Sequence, residues 1–193
     1  MTTRRRLSTA ERRATILDAA RDHFATTTYP DASVPDIAAA SGSSQSLVFH
    51  YFSSKAGLYA SVVENSLRSL IDARLTAASS LNPGHPVRDR VATLLGAHLD
   101  ALAADHTLIA GAGEPEAALL HRRAANEKLV EQLRQIIGIG DLPRHTWALR
   151  GWVGFLDHAG LHWVESGCPE DQRWPLIEAA LGALEGALGD WAV

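Results

Sequence analysis

One cysteine, Cys168, stands in 193 residues. That excludes a disulfide within the chain and suits a reducing compartment. Placed just before Pro169 with no catalytic motif beside it, Cys168 reads as a small apolar turn residue. No apolar run approaches the roughly 20 residues that span a bilayer, so no membrane association is expected. Arg4, Arg5 and Arg6 are followed by no apolar stretch, so they do not open a secretory signal, and a cytoplasmic location is expected. Positive charge is not in excess: 18 basic against 22 acidic residues leave a net charge of −4. Taken whole, that balance argues against a nucleic-acid partner. Strand-like alternation, internal repeats, low-complexity linkers, a phosphate loop and a paired nucleophile are all missing.

Enough remains to build a core, since 46% of the residues are hydrophobic and the charged share, 21%, is ordinary for a globular chain. The charge is also unevenly spread. Residues 1–59 carry seven basic and five acidic side chains, whereas residues 60–193 carry eleven and seventeen. DNA requires a local basic face and not a basic molecule. The periodicity is helical throughout, which predicts an all-α fold of about nine helices. Ile16, Leu17, Ala20 and Phe24 mark a helix over about 9–27. Val34, Ile37 and Ala38 mark a short second one, and Val48 and Phe52 a third. A long helix is expected over 55–80, ended by the breaker Asn82-Pro83-Gly84-His85-Pro86. Val87, Val91, Leu94, Leu95, Leu99 and Leu102 line a fifth. Residues 105–114 suggest at most a short irregular helix. Further helices are expected over 116–137, 144–166 and 170–189.

The second and third helices are short and separated only by Ser41-Gly42-Ser43-Ser44. Gly42 supplies the positive φ that turns a chain sharply from one helix into the next. Ser33 with Asp36 fits a capping box, Pro35 suits a first turn, and Ser44 can cap the third helix. This is the pattern of a helix-turn-helix, whose second helix enters the major groove.

The wider stretch Ile16-Leu17-Asp18-Ala19-Ala20, Phe24-Ala25, Val34-Pro35-Asp36-Ile37-Ala38, Gly42, Leu47-Val48-Phe49-His50-Tyr51-Phe52, Lys55 and Leu58-Tyr59 resembles, without a gap, the DNA-binding region of the TetR family of bacterial transcriptional regulators. The likeness covers about residues 9–64. It implies a DNA-binding domain over 1–54, with its motif at 33–52, and a helical effector-binding and dimerisation domain over 55–193. It also implies that Gln45, Ser46, Leu47, Phe49 and His50 face DNA and that Tyr51 and Lys55 hold phosphates. Ser33 and Ser44 join this set as cap hydroxyls near the backbone. Gln45 has the amide that pairs bidentately with adenine. The chain departs from the family at Thr28, where glycine is common, and at Leu47 and Phe49, which lack the usual hydroxyls.

In the remainder, Ile177, Leu181, Leu184, Leu188 and Trp191 step by four, three, four and three, a narrow seam of the kind that packs helix on helix. Gly182 and Gly186 flank the seam, and Gly151, Gly154 and Gly160 punctuate the aromatic-rich helix before it. The resemblance implies a homodimer formed by these two helices, with Ile177, Leu181, Leu184 and Leu188 at its interface. It also implies a repressor released from a palindromic double-stranded operator by a small molecule. Leu95, His98, Leu99, Leu102, Trp147, Trp152, Phe155 and His158 are the candidate walls of the effector site, and their character suggests a flat or greasy ligand with one or two hydrogen-bonding groups. His158 and His162, one turn apart beside Asp157, have zinc-like spacing but lack a further ligand nearby, so no metal and no cofactor are expected. No enzymatic activity is expected. Two alternatives stay open: a helical enzyme using His98, His158 or His162 as a base, and a dimeric small-molecule-binding protein with a vestigial DNA module.

Overall fold

The computed structural model describes residues 7–82 and 84–189. Arg4, Arg5, Arg6 and Trp191, singled out above, lie outside the described residues. Eight α-helices follow in order: α1 Thr9–Phe24, α2 Val34–Ala40, α3 Gln45–Phe52, α4 Lys55–Ser80, α5 Val87–Ala104, α6 Glu116–Ile137, α7 Pro143–Glu165 and α8 Glu170–Leu188, with a 3-10 turn His106–Leu108 between α5 and α6. The described residues contain no strand. The all-α expectation holds, and the ambiguous 105–114 stretch resolves into that single turn and a loop.

The chain divides into two compact units, residues 1–65 with 110–121, and residues 66–109 with 122–193. The division falls inside α4 and not at 54/55. The reason is side-chain packing: Leu58, Tyr59, Val62 and Val63 of the first turns of α4 are buried and belong to the first unit.

In that unit Ile16, Ala20 and Phe24 of α1, Ile37 and Ala38 of α2, and Val48 and Phe52 of α3 make the core. Helix α1 opens with a capping box: Glu11 N–H donates to Ser8 Oγ at 3.2 Å and Ser8 N–H to Glu11 Oε2 at 2.8 Å. It ends at Phe24, three residues before the expected limit. There Thr28 donates from Oγ1 to Asp31 at 2.6 Å and its carbonyl accepts from Ala32 N–H. This turn uses no positive φ at Thr28, which explains how the chain does without the family's glycine. Segment 110–121 is tied in by Tyr59, whose hydroxyl donates to Glu114 at 2.5 Å, and by Gly113, where a Cβ would lie 2.9 Å from the Pro30 ring.

The second unit packs α5, α7 and α8 on one another, around Leu94, Leu95, Leu149, Trp152, Leu181 and Leu184. Trp152 hides its ring and donates from Nε1 to the Ala180 carbonyl at 2.6 Å, so the aromatic payload is buried without stranding its N–H. A Cβ on Gly160 would lie 2.8 Å from Leu102, so glycine sets the approach of α7 to α5. The buried Ser66 donates to Asp105, and Arg122 fastens the 3-10 turn through the carbonyls of Thr107, Leu108 and Ile109 at 2.7–3.1 Å.

Candidate DNA interface and ligand cavity

Helix α2 is stopped and α3 started by separate devices a few residues apart. Gly42 has φ +62°. Its N–H donates to Ala39 O, and Ser43 N–H donates to Ala38 O at 2.8 Å, the paired bonds that close a helix through a left-handed residue. Ser44 then accepts from Leu47 N–H at 3.2 Å and caps α3. At the start of α2 only half of the expected capping box forms. Ser33 Oγ accepts from Asp36 N–H, but Ser33 N–H is taken by His23 Nε2 at 3.2 Å in place of the Asp36 carboxylate.

These devices bury Val48 and Phe52 and turn Gln45, Ser46, Phe49 and His50 outward on one exposed face of α3. That face carries an amide, a hydroxyl, an aromatic ring and an imidazole, the chemistry that reads base edges and phosphates. Ser46 shares a hydrogen bond with Ser44. Leu47 and Tyr51 are half-buried at its margins, and Tyr51 packs edge-on to His50 with centroids 5.5 Å apart. Lys55 is already engaged: Nζ donates to Pro30 O at 2.9 Å and lies 5.0 Å from the centre of the Tyr29 ring. Two of its three ammonium hydrogens remain for a phosphate. Gly57 is enforced sterically, since a Cβ there would sit 2.2 Å from the Phe52 carbonyl oxygen.

The candidate effector and dimer residues are distributed otherwise than expected. Leu95, His98, Leu99, Leu102 and Trp152 are buried in the second unit, whereas Trp147, 74% exposed, Phe155 and His158 stand on the outer face of α7. They do not share a cavity. Ile177, Leu181, Leu184 and Leu188 are core residues of their own chain, because the seam is the face by which α8 packs on α5 and α7. Beyond its first turns, where Trp174 is exposed, α8 leaves Pro175, Ala179, Gly182, Ala183 and Gly186 exposed.

A cavity of about 530 Å³ lies instead among α4, α5 and α6, lined by Arg74, Leu75, Ala78, Arg90, Leu94, Gln132 and Ile136 with a few polar neighbours. Arg74 is 3% exposed and donates from Nη2 to His98 Nδ1. Burial pushes its pKa down to about 10, against the pull of Asp157, so it stays cationic near neutrality. Burial first, and then the charge of Arg74, hold His98 well below the usual imidazole range. His98 is therefore neutral, with its proton on Nε2. Arg74 Nε, Arg90 Nε and Gln132 Oε1 are buried with no hydrogen-bond partner. A signal for this cavity existed in the sequence: Arg74 falls in phase with Leu67 and Leu70, and Arg90 with Val87 and Leu94, which places cations at apolar positions of their helices. His158 and His162 belong to no group of three metal-type ligands among the described residues.

Residues 16–62 match the family described as bacterial regulatory proteins, tetR family. None of the curated proteins matches the chain. Among solved structures, a TetR-family transcriptional regulator from Streptomyces coelicolor is 20% identical with a TM-score of 0.76, over 94% of this chain and 80% of that one. The fatty acid degradation regulator FadR from Bacillus halodurans is 20% identical with a TM-score of 0.70, over 96% and 98%. FadR from Bacillus subtilis, solved in complex with stearoyl-CoA, is 19% identical with a TM-score of 0.68, over 91% and 97%. At such identities the structural likeness speaks for the fold, and the match over 16–62 speaks for the DNA-binding region. Together they give this chain the fold of these regulators and, over residues 16–62, the DNA-binding region of the tetR family.

Proposed function

We propose that this chain represses transcription by binding a near-palindromic operator as a homodimer and lets go when a small molecule occupies its second unit. One observation carries the reading: the outward face of α3, with Gln45, Ser46, Phe49 and His50 exposed on a helix whose ends and turn are fixed by Gly42 and Ser44. In this reading α3 lies in the major groove, Gln45 reads a base, and Ser33, Ser44, Tyr51 and Lys55 hold the backbone while Leu47 and Phe49 touch thymine methyls or sugars.

Support for a second copy comes from small residues. Gly151 and Gly154 of α7 and Gly182 and Gly186 of α8 have nothing within 4 Å of the position of a Cβ. They run between Trp147, Phe155 and His158 on one helix and Ala179 and Ala183 on the other, all exposed. Such stripes let another helix approach closely, and a two-fold dimer matches two half-sites about 34–36 Å apart. Support for a ligand comes from the cavity, whose volume lies within the usual range for small-molecule sites. Stearoyl-CoA in the Bacillus subtilis FadR structure shows that a regulator of this fold accepts an acyl ligand. Helix α4 contributes both Lys55 and, in its last turns, Arg74, Leu75 and Ala78. Ligand binding acts on DNA affinity only by favouring one of two states.

The test is a fluorescence-anisotropy titration against operator fragments selected from random duplexes. Gln45→Ala is expected to cost about 1–3 kcal/mol and to relax preference at one base position. Lys55→Ala should weaken all sequences alike and reduce the salt dependence, because one phosphate contact is lost. Selection that recovers no preferred sequence, or unchanged binding by both variants, removes α3 as the reader.

A further inference from the structure

Among the described residues, four buried side-chain polar atoms lack a hydrogen-bond partner, and three of them, Arg74 Nε, Arg90 Nε and Gln132 Oε1, belong to residues lining the cavity among α4, α5 and α6. An isolated orphan is often a packing accident. Three around the same space are a set of unmet demands, since buried polar groups are as a rule bonded. The charge is as telling. Neither Arg74 nor Arg90 has a carboxylate within ion-pair distance among the described residues. Arg74 leans on a neutral imidazole, and Arg90 donates to the Ile136 carbonyl at 3.3 Å. Asp157, the acid that acts on Arg74 from farther off, accepts from Asn126 at 2.8 Å. A protein with net charge −4 thus keeps two unpaired guanidinium groups against one cavity.

We propose that this cavity binds the carboxylate of a small organic acid, its head between Arg74 and Arg90 and its apolar body along Leu75, Ala78, Leu94 and Ile136. The inference rests on the reading of the second unit as ligand-binding, and it names the ligand class. One carboxylate brings two acceptor oxygens and one charge, which answers two guanidinium groups that have no carboxylate partner. A phosphate dianion would bring a second charge and a further oxygen into a wall whose other polar groups, Ser79, Asn82, Gln132 and Gln135, are uncharged, so that charge would be desolvated at a cost without a further cation to meet it. The Gln132 amide then accepts from a ligand hydroxyl or, turned over, gives its N–H to the carboxylate. Against the flat or greasy ligand with one or two hydrogen-bonding groups expected from the residues of α5 and α7, this proposal puts an amphipathic anion.

Isothermal titration calorimetry on the full chain tests this with octanoate and phenylacetate as probes and octanol, octylamine and octyl phosphate as comparisons. At least one of the two acids should bind ten times more tightly than octanol or octylamine. Arg74→Gln and Arg90→Gln should each lower acid binding tenfold or more while leaving octanol unchanged. If Arg74→Gln does not fold by circular dichroism, the half-exposed Arg90 and the acid-to-alcohol ratio decide. The proposal is overturned if neither acid binds, if octanol matches them, if octyl phosphate binds more tightly than both, or if every folded variant keeps full acid affinity. Operator binding is measured separately. Acid binding without operator binding defeats the regulator reading and leaves the site standing, whereas operator binding without acid binding defeats only the site.

Discussion

A buried histidine that accepts a hydrogen bond from a guanidinium has to be neutral, and His98 is such a group. In the unfolded chain it titrates at its ordinary value, near 6.5, while in the folded chain burial and Arg74 keep its pKa well below that. Between the two values the unfolded state binds the extra proton, so stability is complete above about pH 6.5 and is lost as pH falls below it. The loss approaches about 1.4 kcal/mol per pH unit for one group as long as the pH stays above the folded-state pKa. Urea denaturation at pH 7 and pH 5 should therefore show a larger drop for the wild type than for His98→Asn, whose amide still accepts from Arg74 but does not titrate. Equal drops would mean that other histidines dominate. Gly57 offers a second test at this scale. Alanine gains about 1 kcal/mol over glycine inside a helix, yet its Cβ would lie 2.2 Å from the Phe52 carbonyl oxygen. Backbone must then move, and such overpacking costs about 1–3 kcal/mol or more. Gly57→Ala should lower the denaturation midpoint and, by disturbing the last turn of α3, weaken operator binding. A raised midpoint would show that the junction yields freely.

At the scale of the element, helices were the most legible feature, because a helix is specified by a local period and local caps. The limits of α4 and α6 and the turn at Gly42 came directly from apolar spacing and punctuation, and the structure has them at Lys55–Ser80, Glu116–Ile137 and φ +62°. What faces what was less legible. The step of Ile177, Leu181, Leu184 and Leu188 proves a helix with one packed face, but the same step serves a neighbour in the chain or a second copy. Here the four large residues of that step serve the chain, and Ala179, Gly182, Ala183 and Gly186 lie outside. Arg74 and Arg90 are less legible because each only interrupts an apolar pattern that still specifies its helix. The elements also separate two roles that DNA binding alone would confuse. Ser44→Ala removes the cap of α3 and should cost about 1 kcal/mol of stability together with operator affinity. Gln45→Ala, at an exposed position, should shift stability by no more than about 0.5 kcal/mol while losing base preference. Thermal denaturation of both variants checks this, and equal destabilisation would make Gln45 a structural residue.

For the whole molecule, the question is how a chain with net charge −4 would gain enough hold on DNA, and the proposed pairing of two copies would supply the answer. One α3 offers few base contacts, whereas a two-fold pair joins two such helices and makes the second contact effectively intramolecular. The surface available for that pairing is the exposed stripe of Gly151 and Gly154 on α7 and of Ala179, Gly182 and Gly186 on α8. Substitution there can be told apart from damage to the core. Leu184 is 0% exposed, so Leu184→Glu buries an unpaired charge and should unfold the second unit whether or not a dimer exists. Gly154 and Gly182 have open space above them. Gly154→Arg and Gly182→Arg should therefore leave helix content and the thermal midpoint of the single chain nearly intact, helped by the better helix propensity of arginine. In a dimer the same side chains would force the partner helices apart. Sedimentation velocity should then report a monomer for the double variant and a dimer for the wild type. Operator affinity should fall by tenfold or more while a single half-site duplex is bound as weakly as by the wild type. A double variant that sediments as a dimer with unchanged operator affinity would move the interface away from α7 and α8.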